Sequence, residues 1–294
     1  MYDQISSNKF KSAALITVFV LLVALIGYVF GQVTDWGYFG LVLALVVAFV
    51  MSWGSYWYSD KIVLSMSRAR PVDRTVEPYL VNTVEGLAIA AGLPVPRAYV
   101  IDDPAPNAFA TGRNPDNAAI AVTTGLVQMM NRQELEGVLA HELAHIKNYD
   151  TLIQTLAAVL AGSVTLISEW MLRSFWWGGR DRDRDSGQFG AIMMVAAIVL
   201  ALLAPLTATL IQLAISRKRE YLADASAAML TRYPPGLAGA LRKIGGDRNI
   251  LKVASKATES LYIVNPLKAR GGAMNALFNT HPPLEDRIAR LEAM

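Results

Sequence analysis

Two long stretches without a charged residue stand almost back to back near the start of the chain. The first runs from Ser12 to Thr34, and the second fills the interval between Asp35 and Asp60. Each is long enough to cross a hydrocarbon core about 30 Å thick as a helix. Because apolar helices of this length are poorly suited to water, the two stretches predict a transmembrane hairpin over residues 1–60.

Basic residues flank only one side of this hairpin. Lys9 and Lys11 precede the first stretch and Lys61, Arg68 and Arg70 follow the second, whereas the short connection has neither Lys nor Arg. A signal peptide also begins with basic residues, but its apolar core is shorter, and here a second stretch follows almost at once. The positive-inside rule therefore predicts that the amino terminus and the chain after Lys61 are cytoplasmic.

Two further uncharged stretches lie in the second half of the chain. They run from Thr151 to Ser168 and from Ser186 to Ser216, and a loop of alternating Arg and Asp separates them. Pro205 lies inside the later stretch, where it would kink a membrane helix without forbidding one. These stretches predict a second transmembrane pair over residues 151–215, although apolar helices could instead pack inside a domain.

Between the two predicted pairs the composition is that of a globular domain. Val76 to Ala91 has helical periodicity and ends at a Gly-Leu-Pro stop. Strand patterns occupy Arg97–Ile101 and Ala118–Thr123, and a turn-rich loop is predicted between them, from Asp102 to Asn117. The second of these strands lies shortly before the segment from His141 to His145. An open edge on this strand could bind an extended peptide. The alternative is an ordinary hairpin at the end of the sheet.

The fold predicted from these patterns is mainly α-helical with a small β-sheet. It is an integral membrane protein with about four transmembrane helices and a cytoplasmic domain. The predicted parts are the hairpin at 1–60, the first part of the cytoplasmic domain at 61–150, the second membrane pair at 151–215, and the rest of that domain at 216–294. The residues expected to bind substrate are Asn107, Ala118, Ala119, Ile120, Ala121 and Val122.

The segment His141-Glu142-Leu143-Ala144-His145 contains two of the three histidines of the chain. Residues four apart on a helix point the same way because about 3.6 residues make one turn. A zinc ion can therefore accept a nitrogen from each imidazole, and Glu142 is placed to take a proton from an attacking water. Histidines at this spacing on a solvated helix face are the alternative. The motif nevertheless predicts a zinc-dependent peptide hydrolase.

The helix that carries this motif has a clear start. Asn131 can cap it, and Glu134 stands at the third position, as in a capping box. The run to Ile146 contains no Pro. The sequence therefore predicts a helix that begins after Asn131 and includes the motif.

The third metal ligand is left open by the residues alone. A metzincin would need Gly at position 148 and His at position 151, where this chain has Asn148 and Thr151. His281 is the remaining histidine. Glu220 and Asp224 lie one helical turn apart after the last apolar stretch, so one could bind zinc while the other orients a ligand imidazole.

Composition excludes several other functions. The chain has no cysteine, so thiolate ligands, disulfides and a cysteine nucleophile are excluded. A net charge of +3 in 294 residues gives no basis for nucleic-acid binding, and part of it belongs to the membrane flanks.

Four motifs in order, Asn107–Gly112, Val122–Leu126, Arg219–Asp224 and Thr280–Pro283, accompany the HExxH segment. Together they resemble the HtpX-like membrane metalloproteases, which are gluzincins related to the CAAX prenyl proteases, and the resemblance covers most of the chain. It implies a zincin-type domain with Glu220 as the third zinc ligand and Asp224 as a partner that orients a ligand. It further implies an active site on the cytoplasmic face of a bacterial or archaeal cell membrane.

The function expected from this resemblance is the degradation of misfolded or unfolded membrane proteins. Within the family His281 would approach the active site and steady the oxyanion of the tetrahedral intermediate. A CAAX-type prenyl-protein peptidase is the nearest alternative, although it would be expected to need a larger ring of membrane helices. A membrane protein that binds zinc and clients without cutting them is the other, and Glu142 argues against it.

Overall fold

The computed structural model describes residues 2–33, 36–178, 216–255, 258–266 and 282–294. Within these ranges the chain is mostly helical with one small sheet. The helices are α1 (Tyr2–Val33), α2 (Tyr38–Met66), α3 (Pro78–Ala91), α4 (Thr124–Met129), α5 (Arg132–Lys147), α6 (Asp150–Gly178), α7 (Arg217–Thr231), α8 (Pro234–Gly246) and α9 (Leu284–Glu292). The strands are β1 (Arg70–Pro71), β2 (Arg97–Ile101), β3 (Ala108–Gly112) and β4 (Ala118–Thr123).

Helices α1 and α2 form the predicted hairpin. Their segments Gln4–Gln32 and Tyr38–Met66 are each 29 residues long and apolar enough to cross a membrane. Small residues let the two backbones approach closely, since a Cβ added at Gly27 would lie 2.1 Å from the Cβ of Ala44. Most of the apolar side chains on their outer faces are uncovered, as lipid contact requires. Two candidate membrane helices at the amino terminus are therefore confirmed.

The sheet has the strand order β1-β2-β4-β3. Strand β4 pairs in parallel with β2 and antiparallel with β3, so it lies inside the sheet. Both predicted strands have the predicted bounds, and α3 ends at Ala91, followed by Gly92 in the left-handed conformation, with φ at +67°. The loop predicted over 102–117 is wrong in part, because Ala108–Gly112 is a third strand of the sheet. Its pairing partner β4 begins after a connection of five residues, and no local pattern specifies the register between the two strands.

The sheet is buried on both faces. Val100, Ile120 and Val122 point into the core shared with α3, α5, α7 and α8. Ile101 and Phe109 point into a second core, built with the end of α2 and the first half of α6. The membrane hairpin and the soluble domain are therefore joined through packed side chains.

The third predicted membrane stretch, Thr151–Ser168, lies in helix α6. Its first half, up to Val164, is buried against α1 and the sheet, with Leu156 and Leu160 at 0% exposure. Over this half the stretch therefore lies beside the predicted membrane helix α1. The charged loop after Gly178 and the fourth predicted membrane stretch lie outside the described residues.

Candidate metal centre

Helix α5 carries the HExxH segment, and its amino-terminal end is capped. The Asn131 side chain accepts a hydrogen bond from Glu134 N at 2.9 Å, and the Glu134 carboxylate accepts one from Asn131 N, also at 2.9 Å. This is the predicted capping box. A Cβ added at Gly137 would lie 2.7 Å from Leu237 N, so the glycine lets α8 pack closely on α5. The last two turns of α5 therefore have a defined position in the core.

The two histidines of the motif are buried and face each other. His141 and His145 are 0% and 5% exposed, and their Nε2 atoms are 3.1 Å apart. A solvated helix face is thereby excluded for these side chains. The two nitrogens point into one small space at the end of α5.

Glu220, on α7, brings a carboxylate to the same space. Its Oε2 lies 3.6 Å from His141 Nε2, and its Oε1 lies 3.6 Å from His145 Nε2. Donors arranged tetrahedrally about 2.1 Å from a zinc ion would be about 3.4 Å from one another. The three side chains therefore have the spacing of a metal site, and they are the described His and acidic residues that cluster in this way.

A carboxylate stands behind each imidazole. Asp224 Oδ1 lies 2.9 Å from His141 Nδ1, and Asp150 Oδ2 lies 3.0 Å from His145 Nδ1. His145 Nδ1 hydrogen bonds with Asp150, and His141 Nδ1 lies at ion-pair distance from Asp224. A proton on each Nδ1 leaves the two Nε2 lone pairs facing each other and Glu220. Three converging electron-rich donors in a buried space are stable when a cation lies between them, so the chemistry of the site fits a metal ion.

The electrostatics of His141 show the same preference for positive charge. Burial alone lowers the pKa of His141, but the carboxylates of Asp224 and Glu220 outweigh this effect and raise it to about 9. The surroundings of the His141 ring are thus anionic.

Glu142 lies beside the two histidines and is 1% exposed. Its Oε1 has no hydrogen-bond partner among the residues that the structure describes. Burial raises the pKa of Glu142, and the charges of His141 and His145 oppose that rise. A buried carboxylate with a raised pKa accepts a proton from a reacting group more readily than an exposed one.

Arg287, on α9, completes the site and was not predicted from the sequence. It is fully buried, and its Nε and Nη2 donate to the two Asp224 oxygens at 2.8 and 2.7 Å. Its Nη1 donates to the Ile263 carbonyl oxygen at 2.9 Å and lies 3.7 Å from Glu220 Oε2. Burial raises the pKa of Asp224, but the charge and hydrogen bonds of Arg287 outweigh this and keep the pKa below its ordinary value. Asp224 therefore remains an anion that can accept the His141 proton.

Asp150 was missed as well. It is the first acidic residue after the motif, which is the only local signal for it, and no pattern distinguishes it from a surface carboxylate. For Arg287 there is no local signal, because its partner Asp224 lies 63 residues away. His281 lies outside the described residues.

The open edge expected along Ala118–Val122 is wrong, and the alternative, a hairpin at the end of the sheet, is found, because β3 and β4 pair antiparallel there. The main chain of β4 is paired with β2 on one side and β3 on the other, so it has no free edge for a peptide. Asn107 is 4% exposed and its amide group donates to the Val264 carbonyl oxygen at 2.9 Å, which ties two loops of the chain together.

Comparison with known proteins decides the family. The peptidase family M48 profile matches residues 74–294, which include every residue of the metal centre. The chain belongs to peptidase family M48. Among M48 relatives, a protease HtpX homolog of Dictyoglomus thermophilum is 48% identical over all of this chain and 94% of its own length. One from Streptococcus pneumoniae is 47% identical over the full length of both chains.

Among solved structures, Ste24p of S. mikatae matches 99% of this chain and 67% of its own, with 20% identity and a TM-score of 0.49. The M48 membership and the HtpX homologs show that this chain is a membrane-associated metalloprotease. The resemblance to HtpX-like proteases found in the sequence is confirmed.

Proposed function

We propose that the metal is zinc and that His141, His145 and Glu220 hold it. Two imidazole nitrogens and one carboxylate oxygen form a donor set of catalytic zinc sites, which keep one position open. The observation that carries this proposal is the convergence of three buried donors with Asp224 and Asp150 behind the imidazoles. When bound, zinc polarises the scissile carbonyl and makes water a nucleophile near neutral pH.

The chain's own residues supply the proton transfers. Glu142 accepts the proton of the attacking water and then delivers it to the leaving amine, so that the peptide bond is cleaved. Asp224 and Asp150 hold the imidazole rings in one tautomer during this cycle. His281 steadies the oxyanion of the tetrahedral intermediate, which is the role that the family resemblance implies for it.

The substrates proposed are unfolded or misfolded proteins, including membrane proteins, so that the enzyme serves protein quality control. The burial of the site supports this. Glu142 and His141 are almost fully enclosed, so a peptide bond must enter as a locally unfolded segment. A folded domain has no such segment to offer until it opens.

A substrate pair tests this proposal. We expect the purified full-length chain to cut an unfolded casein, and to cut a destabilised variant of a small domain much faster than its stable parent. A chelator should abolish both reactions. Equal rates on the stable and destabilised forms would contradict the proposal. Preferential cleavage of a farnesylated peptide would favour a prenyl-protein peptidase instead.

We also propose that the chain crosses the cell membrane four times, with the amino terminus and the protease domain in the cytoplasm. The basic flanks at Lys9, Lys11 and Lys61 support this orientation. The membrane segments then fall at 1–60 and 151–215, and the protease domain is assembled from the segments between and after them. Helices α5 and α7, which come from these two parts, pack against each other in one core.

The natural absence of cysteine makes this orientation easy to test. Single cysteines at Trp36, in the α1–α2 connection, and at the exposed Met294 would be treated with a membrane-impermeant maleimide on intact cells. Labelling is expected for Trp36→Cys and not for Met294→Cys until the cells are opened. The reverse pattern would place the protease domain outside.

A further inference from the structure

The first turns of α1 reach the residues that lie behind the metal centre. Asn8 is 3% exposed, and its side-chain amide donates to Asp150 Oδ1 at 2.7 Å and to the Asn148 carbonyl oxygen at 3.0 Å. These partners are 142 and 140 residues further along the chain. A single side chain of the amino-terminal helix thus reaches the residues that directly follow the HExxH helix.

The target of Asn8 is a strained turn. Tyr149 connects α5 to α6 with φ at +58°, a conformation that a bulky residue adopts at a cost and only when its surroundings enforce it. The Lys9 ammonium group lies 4.6 Å from the centre of the Tyr149 ring, so a second residue of α1 holds the same turn. The position of Asp150 depends on this turn.

Asp150 divides its two oxygens between the metal centre and α1. Its Oδ2 lies 3.0 Å from His145 Nδ1. Its Oδ1 accepts a hydrogen bond from the Asn8 side-chain amide and lies 3.8 Å from Arg219 Nε. Asp150 is fully buried, and a buried carboxylate is held in place by the donors that satisfy its lone pairs. Asn8 therefore donates to the oxygen of Asp150 that does not face the imidazole.

We propose that Asn8 is a positioning residue of the metal centre, acting through Asp150 on the ligand His145. The amino-terminal membrane helix is then a component of the active site as well as an anchor. A ligand imidazole is bound more tightly when its other nitrogen donates to a well-oriented carboxylate, and Asn8 orients that carboxylate. This inference rests on the metal site proposed above.

Zinc affinity of the full-length chain in detergent, measured by competition with a chelating dye, tests the inference. Asn8→Ala is expected to raise the Kd for zinc about 3- to 10-fold, less than the roughly 10- to 100-fold typical for a direct partner of a ligand. Asn8→Asp, which keeps the volume but removes the amide donor, is expected to raise it at least as much. The matched control is Ser12→Ala, since Ser12 is equally buried and its Oγ donates to the Asn8 carbonyl oxygen at 2.8 Å. This control should leave the Kd unchanged.

A second background separates positioning from general support of the fold. In Asp150→Ala, where the connection to His145 is already lost, Asn8→Ala should raise the Kd no further. If the Asn8 variants lower the melting temperatures of zinc-loaded and zinc-free protein alike and leave the Kd at the wild-type value, the inference is overturned. A wild-type chain that binds no zinc would instead overturn the metal proposal, whatever the Asn8 variants do.

Discussion

Glu142→Gln is expected to lower the rate of casein cleavage by about 10²- to 10⁴-fold, the usual contribution of a general base. The amide has nearly the shape of the carboxylate but cannot accept the proton of the attacking water. The zinc content should stay near one per chain, because the donor atoms of His141, His145 and Glu220 are untouched. Glu142 Oε1 has no hydrogen-bond partner in the described part of the chain, so the substitution breaks no bond of that atom.

The matched control is Glu136→Gln, on the same helix as Glu142. Glu136 is partly exposed and pairs with Arg132 at 2.9 Å, so its loss removes one surface ion pair and leaves the site intact. Zinc content and cleavage of casein should both match the wild type. If Glu142→Gln instead cut casein at the wild-type rate, the base would be another group. If it lost zinc, Glu142 would belong to the ligand set.

The parts of this structure that were predictable from the sequence are those specified by nearby residues. The capping box at Asn131 and Glu134 specifies the start of α5, and the four-residue spacing of His141 and His145 then places both rings on one face. The length and apolarity of α1 and α2 specify a membrane hairpin in the same local way.

The parts that were not predictable depend on pairing and packing that the local sequence pattern does not specify. Strand β3 is flanked by turn residues that favour a loop, and it is a strand because it pairs with β4. The same pairing encloses β4, which overturned the open edge expected there. Likewise Arg287 joins the site because α9 packs beside α7 and α8, an arrangement set by the tertiary core.

The choice between Glu220 and His281 as third ligand produces the second large effect. Glu220→Gln is expected to weaken zinc binding by more than about 100-fold, beyond the usual effect of altering a partner behind a ligand. A neutral amide oxygen is a poorer zinc donor than a carboxylate, and the two Nε2 atoms lose the third donor 3.6 Å away. Zinc per chain and casein cleavage should fall together, whereas His281→Ala should lower turnover and leave zinc near one per chain.

Loss of zinc in Glu220→Gln can be separated from unfolding, because Arg287 and Asp224 remain paired when the Glu220 carboxylate is removed. Arg287 keeps both hydrogen bonds to Asp224 and its bond to the Ile263 carbonyl oxygen, so no buried charge is left uncompensated there. The zinc-free variant should therefore melt cooperatively, close to the chelated wild type. If His281→Ala loses zinc while Glu220→Gln retains it, the ligand assignment is reversed, and Glu220 becomes a carboxylate that only balances the charge of Arg287.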